Sequence, residues 1–326
     1  MNTDDGSQKL GPIWLAPGIS PLNALTFLFV GLIGICMMAY INFAQPYLFS
    51  VNLSVPEDQR GRLAGRLVFW SETVLILLAG VIGALSDRIG RRTVTTIGFL
   101  VIGIGYALYP FANSVTQLFL FRTVFAIGSA IILTMLFAIM ADYPQNRSRG
   151  KLAAAIAMMS GLGIMSIVYM VGDLPVRFVQ GGLSELQAGR YTFLTVAGIC
   201  ILSAGIAAVG LKGGRPAGIS TQYPLLEFIR IGLRATRNPK IALAFGSSFA
   251  ARADMIVVGT FFALWLEQVG TGIGLTSGEA LARVATLYIV LQGSSLVWAP
   301  FLGYLTDRLT RVNAVVLGVT LATAGF

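Results

Sequence analysis

The decapeptide GALSDRIGRR, Gly83 to Arg92, closes one long apolar stretch, and a weaker copy, GYLTDRLTR from Gly303 to Arg311, closes another. Gly83 and Gly303 lie 220 residues apart, as do Asp87 and Asp307. A repeat at that spacing implies two similar halves, each large enough to be a bundle of helices, so duplicated membrane architecture is the first expectation.

Composition supports it. A chain of 326 residues that is 56% hydrophobic and 11% charged, with a mean hydropathy of +0.78, is too apolar for a soluble domain with one core. The start, Met1 to Pro21, lacks a basic n-region and a small-residue cleavage site, and the apolar run after it is too long for a signal peptide; no cleaved signal is expected. Histidine is absent, and Cys36 and Cys200 both fall within apolar runs. That argues against imidazole metal ligands, Ser-His or Cys-His nucleophile pairs and a disulfide framework, so neither an enzyme nor a resident metal or cofactor is expected.

A span needs about 20 apolar residues. Nine candidates meet or approach that length: Ala24 to Phe49, Gly65 to Leu85, Thr93 to Tyr109, Val115 to Ala141, Leu152 to Gly172, Thr192 to Leu211, Ile241 to Leu266, Val284 to Leu302 and a short Asn313 to Phe326. The expected organisation is an amino-terminal segment (1–22), a six-helix bundle (23–211), a basic linker (212–240) and an incomplete second bundle holding helices seven to nine (241–326). Six spans per half would give twelve in all, with three more after Phe326; the alternative is a natural nine-span protein. A form lacking three spans is expected not to transport.

Lys and Arg in alternate loops number 15 on the amino-terminal side and 6 on the other. The excess predicts a cytoplasmic amino terminus, and a bacterial inner membrane is the expected location. Net charge of +9 is then a topology signal, and no nucleic-acid partner is expected, because the basic residues are spread over short loops without interleaved aromatics. In the linker, Leu225, Leu226, Ile229 and Leu233 share a helical spacing with Arg230, Arg234 and Arg237 elsewhere. A basic amphipathic helix on the inner leaflet is expected, as plain linker or as regulator.

The loop Gly83 to Arg92 resembles the signature G-x-x-x-D-R-x-G-R-R of the major facilitator superfamily, and the Gly303–Arg311 copy occupies the equivalent place in the second half. Arg122 with Gly128 resembles the family's R-x-x-x-x-x-G pattern in span four, and Asp142 with Arg149-Gly150-Lys151 resembles its loop between spans four and five. The resemblance implies an all-α polytopic fold of two six-helix bundles, working as a monomer. It also implies a gating role for Gly83, Asp87, Arg88, Gly90, Arg91, Arg92, Gly303, Asp307 and Arg308, locking the cytoplasmic ends in the outward-open state. Independently of the family, Gly83 would let helices approach closely, Asp87 can accept charge-assisted hydrogen bonds, and the arginines suit an anionic leaflet. A positive-inside anchor alone is the simpler reading, though it leaves Asp87 without a purpose.

Four charges fall deep in apolar spans, Glu72, Arg122, Arg252 and Asp254, each costing about 2.5–3.5 kcal/mol at a helix centre. Arg252 and Asp254 stand about 200° apart around one helix, so each needs its own partner, cavity or protonation change. The 220-residue shift places Glu72 on Gln292, polar but uncharged. A carboxylate at one of two matched positions suits proton coupling, for which Glu72 and Asp254 are candidates; a structural hydrogen bond is the other reading of Glu72. Arg122 and Arg252, with Gln292, are the candidate substrate residues, because guanidiniums facing a low-dielectric cavity favour a carboxylate or phosphate. Arg122 could instead serve proton transfer, and Arg252 could be consumed by Glu72 or Asp254.

The expected function is transport of a small organic solute, an organic anion before an amphipathic or cationic compound, by alternating access coupled to protons. Drug–proton antiport is the alternative, although span five lacks the Gly-Pro kink and span one the acidic residue that such exporters of the family commonly carry. A transporter-like receptor that moves nothing is a third.

Overall fold

The computed structural model describes residues 8–214 and 261–308 without a break, and 234, 237–239, 241–243, 246, 313 and 316–321 besides. Within 261–308 the side chains of 263, 277, 288, 291, 292, 295 and 299–308 are not described.

Seven helices form the first half: α1 (Pro21–Val51), α2 (Glu57–Ile89), α3 (Arg91–Leu108), α4 (Val115–Asp142), α5 (Arg149–Val171), the short α6 (Leu174–Gln180) and α7 (Glu185–Gly210). Six segments are long and apolar enough to cross a membrane, among the residues described. They correspond to the six spans expected for the first half. Their ends differ because helices continue into charged turns that hydropathy alone leaves out: α2 is already helical at Glu57, with Glu57 and Asp58 in its first turn, where acidic residues suit a helix amino terminus. Among the described residues the second half contributes α8 (Ala263–Gly272) and α9 (Ser277–Arg308). The seventh and ninth expected spans lie largely outside the described residues, as does the linker helix.

Caps set the helix starts. Ser20 accepts from the backbone N–H of Asn23 while the Asn23 side chain accepts from Ser20, with Pro21 at the first position of α1; Ser184 and Gln187 form the same reciprocal box on α7. Gly90 separates α2 from α3 with φ of +96°, a conformation that favours glycine, and a Cβ there would stand 2.6 Å from the Gly214 carbonyl oxygen.

Consecutive spans run antiparallel, so the ends of α2, α4 and α7 and the starts of α1, α3 and α5 meet on one face, called proximal here; the other is distal. The core joins α1, α3, α4 and α7 through aromatic rings, with Tyr106 5.5 Å from Phe125 and 6.0 Å from Phe193. Gly128 brings α4 against α3, where an added Cβ would lie 2.6 Å from the Ile102 backbone nitrogen. Phe69, Ile76 and Leu77 on α2 stay exposed, as lipid-facing or cavity-facing apolar residues do in a membrane protein.

The amino-terminal segment is folded onto the bundle from residue 8 onward. Strands β1 (Lys9–Leu10) and β2 (Ile13–Trp14) form a hairpin, a small exception to the helical architecture of the described residues. Its Trp14 ring lies between Lys9 Nζ, 3.5 Å from the centroid, and the Arg147 guanidinium, 3.6 Å away. Trp14 N–H donates to Ser148 Oγ at 3.0 Å, Ala16 N–H to the Tyr143 carbonyl at 2.8 Å, and Leu15 is fully buried. The segment therefore straps the α4–α5 loop.

Candidate functional site

On the proximal face the signature loop forms an ionic chain within the first half. Arg91 Nη2 lies 2.8 Å from Asp87 Oδ1, and Arg91 Nε donates to Asp142 Oδ2 at 3.1 Å. The Asp87 contact pairs charges without an aligned hydrogen bond to Oδ1. Arg91 also donates through Nη1 to Ser86 Oγ. One arginine thus ties the end of α2 to the end of α4. Arg88 and Arg92 are exposed; the Arg92 guanidinium passes close to Gly213. Gly83, expected at a close helix approach, has open space where its Cβ would be, with nothing within 4 Å among the described residues. In the copy, Gly303, Asp307 and Arg308 fall in the last turns of α9, and their side chains are not described.

Tyr143, at the end of α4, accepts from Lys212 N–H at 3.0 Å. Burial pushes its hydroxyl up to about 12, partly offset by that N–H.

Arg122 occupies the interior of the first half and is 2% exposed. Its Nε donates to Ser71 Oγ on α2 at 2.7 Å and its Nη2 to Asn42 Oδ1 on α1 at 2.8 Å, while the cation lies 5.1 Å from the Phe125 ring. Both acceptors are neutral. Nη1 is buried without an aligned hydrogen bond among the described residues, the neutral Tyr109 hydroxyl being the further polar group that interacts with the guanidinium, and a charged group so placed asks for an acceptor. Nearby, Tyr109 hydroxyl and Gln45 Oε1 are 3.2 Å apart, and Gln45 Nε2 is likewise without a partner there. Glu72 is half-buried on α2, one residue beyond the Arg122 ligand Ser71. Gln292 lies on α9 with its side chain not described, and Arg252 and Asp254 lie outside the described residues. The structure therefore brings Arg122, Ser71 and Asn42 together.

One charge cluster was missed from sequence. Arg60 on α2 and Glu267 on α8 are 3.1 Å apart, with Arg60 Nη1 donating to both carboxylate oxygens and Ser50 Oγ 2.8 Å from Oε1. In the sequence Arg60 is one of the six basic residues on the side opposite the amino terminus. Glu267, an acid inside the apolar run ALWLEQVG, was the signal available. Next to it, Gln268 Nε2 donates to the Glu57 carbonyl at 3.3 Å. On the same distal side α5 meets α9, with Ala285 Cβ 3.0 Å from where a Cβ on Gly172 would stand. Nearer the middle of the bundle the Met165 methyl is 3.7 Å from that point on Gly293.

Comparison with known proteins extends these observations. A family model described as Major Facilitator Superfamily matches residues 27–326. Magnetosome protein MamH of Paramagnetospirillum magneticum is 26% identical over 307 residues, covering 90% of this chain and 67% of that protein. Multidrug resistance protein 1 of Bacillus subtilis is 23% identical over 287 residues, covering 88% and 66%. The magnetosome relatives it matches are spanned over 44–67% of their length. Among solved structures, a bacterial homologue of the human lysosomal transporter Spinster, inward-facing and occupied, aligns with a TM-score of 0.61 at 19% identity, covering 90% of this chain and 63% of that one.

Proposed function

Because the chain belongs to the Major Facilitator Superfamily of secondary transporters, we propose that its full-length gene product carries a small organic solute across a membrane by alternating access between its two halves. The observation that carries the solute reading is Arg122: a buried cation whose contacts are neutral and whose Nη1 lacks an aligned hydrogen bond among the described residues. A carboxylate or phosphate supplies what that fork lacks, in a site where charge is poorly screened. An organic anion is therefore the favoured substrate class. Arg252 and Gln292 would complete the site from the second half, and Glu72 and Asp254 would exchange the coupling proton.

As a multi-pass membrane protein the chain would sit in a bacterial inner membrane with the proximal face in the cytoplasm. Lys9, Arg88, Arg91, Arg92, Arg147, Arg149 and Lys151 support that orientation. The Asp87–Arg91–Asp142 chain would then be the cytoplasmic gate within the first half, awaiting its counterpart around Gly303, Asp307 and Arg308. No partner beyond solute, proton and lipid is required, and a monomer suffices. Drug export is the second reading, favoured by the similarity to Multidrug resistance protein 1.

Thermal stabilisation of the purified protein by a panel of organic anions and lipophilic cations tests this, with internal pH of proteoliposomes holding the full-length gene product as the coupling readout. Stabilisation by an anion, weakened in Arg122→Lys and lost in Arg122→Gln, is expected, with proton movement abolished in Glu72→Gln or Asp254→Asn. Stabilisation by lipophilic cations alone, surviving in Arg122→Gln, would replace the anion reading with drug export.

A further inference from the structure

The buried pair on the distal face belongs to neither the signature loop nor the Arg122 site. Glu267 is 1% exposed and the Arg60 side chain 11%, so both ions have left water almost completely. Four elements hold them. Ser50 comes from the last turn of α1, and Arg60 Nε donates to the Val55 carbonyl in the α1–α2 connection at 3.0 Å. Arg60 itself is in the first turns of α2, and Glu267 is in α8 of the second half. The Ser50 hydroxyl shares its proton between Glu267 Oε1 and the Pro46 carbonyl, 3.0 Å away. Every strong contact of the carboxylate thus crosses from one half to the other.

We propose that Arg60, Glu267 and Ser50 form a charge latch that holds the distal ends of the two halves together and opens when the halves part there. The inference rests on the reading that the halves rock against each other. Parting them returns both ions to water, so the intact pair stabilises the closed face only by the difference between its mutual attraction and its hydration. Removing one partner is different. The survivor is then an uncompensated ion in the closed state but a hydrated one in the open state, and the balance moves toward open. Removing both leaves no orphan charge, so the two substitutions must act non-additively.

Ala285 gives the reporter, because it is 6% exposed and lies against Gly172 between the halves on this side. The experiment measures the rate at which a water-soluble maleimide labels Ala285→Cys in this chain held in lipid nanodiscs. Cys36 and Cys200, both buried in the first half, report unfolding in the same sample. Labelling of the reporter is expected to rise roughly tenfold in Glu267→Gln and in Arg60→Gln, and to fall short of the product of those effects in the double variant. Cys36 and Cys200 should stay protected. Unchanged labelling in both single variants, or a double variant equal to the product, overturns the latch. Should Glu267→Gln unmask Cys36 and Cys200, Glu267→Asp decides: faster reporter labelling with the native cysteines protected supports the latch, and an unchanged rate overturns it. No step requires solute or flux, so a failed latch and a failed transport reading are separately visible.

Discussion

Gly128 and Tyr143 show how much a single side chain can decide in this bundle. At Gly128 a Cβ would meet the Ile102 backbone nitrogen at 2.6 Å, and backbone cannot step aside as a side-chain tip can. Gly128→Ala is expected to lower stability by about 1–3 kcal/mol, read as an earlier melting transition in detergent. Gly198→Ala, where nothing lies within 4 Å among the described residues, should leave the transition in place. Tyr143 titrates near 10 when unfolded and is raised to about 12 by burial. A raised folded value means the neutral form is favoured, so its contribution is whole below pH 10 and is lost as pH climbs toward 12. Tyr143→Phe should therefore lose less stability than the parent between those limits, measured as melting temperature against pH. Arg122 was legible as a charge in need of partners because a guanidinium in a long apolar run must be compensated. Its ligands Ser71 and Asn42 were not legible, since small polar residues are common in membrane helices.

Helix starts announce themselves locally: Ser20 with Asn23, and Ser184 with Gln187, carry their caps within four residues. The amino-terminal hairpin does not. Its strands are two residues long, and what holds them is Trp14 against Lys9 and Arg147, plus backbone bonds to residues 143–148. Replacing Trp14 by Ala removes two cation–π contacts worth about 0.5–1 kcal/mol each at exposed sites. Amide exchange over residues 13–16 is then expected to speed up several-fold, and trypsin to cut after Lys9 sooner, while the helices keep their protection. α2 and α5 leave broad apolar surface uncovered, with Phe69, Ile76, Leu77 and Tyr169 exposed. Their hydropathy marked them as spans. Which of their faces meets lipid and which meets the other half follows only from the packing.

Over the whole molecule, the 220-residue repeat and the alternating basic loops announced two halves and a proximal face rich in Lys and Arg. The structure adds that on the distal side the halves already touch, through Arg60 with Glu267 and through α5 with α9. The membrane class, the six spans of the first half and the loop from Gly83 to Arg92 are consequences of hydropathy and short motifs, which act over a few turns of chain and can be read in order. The partner of each charge is another matter. Arg91 chose Asp142, 51 residues away, and Arg60 chose Glu267, 207 residues away, because helix packing carried those atoms to within 3.1 Å. Hydropathy dictates that each ion needs compensation in an apolar setting; only the tertiary arrangement determines which residue supplies it.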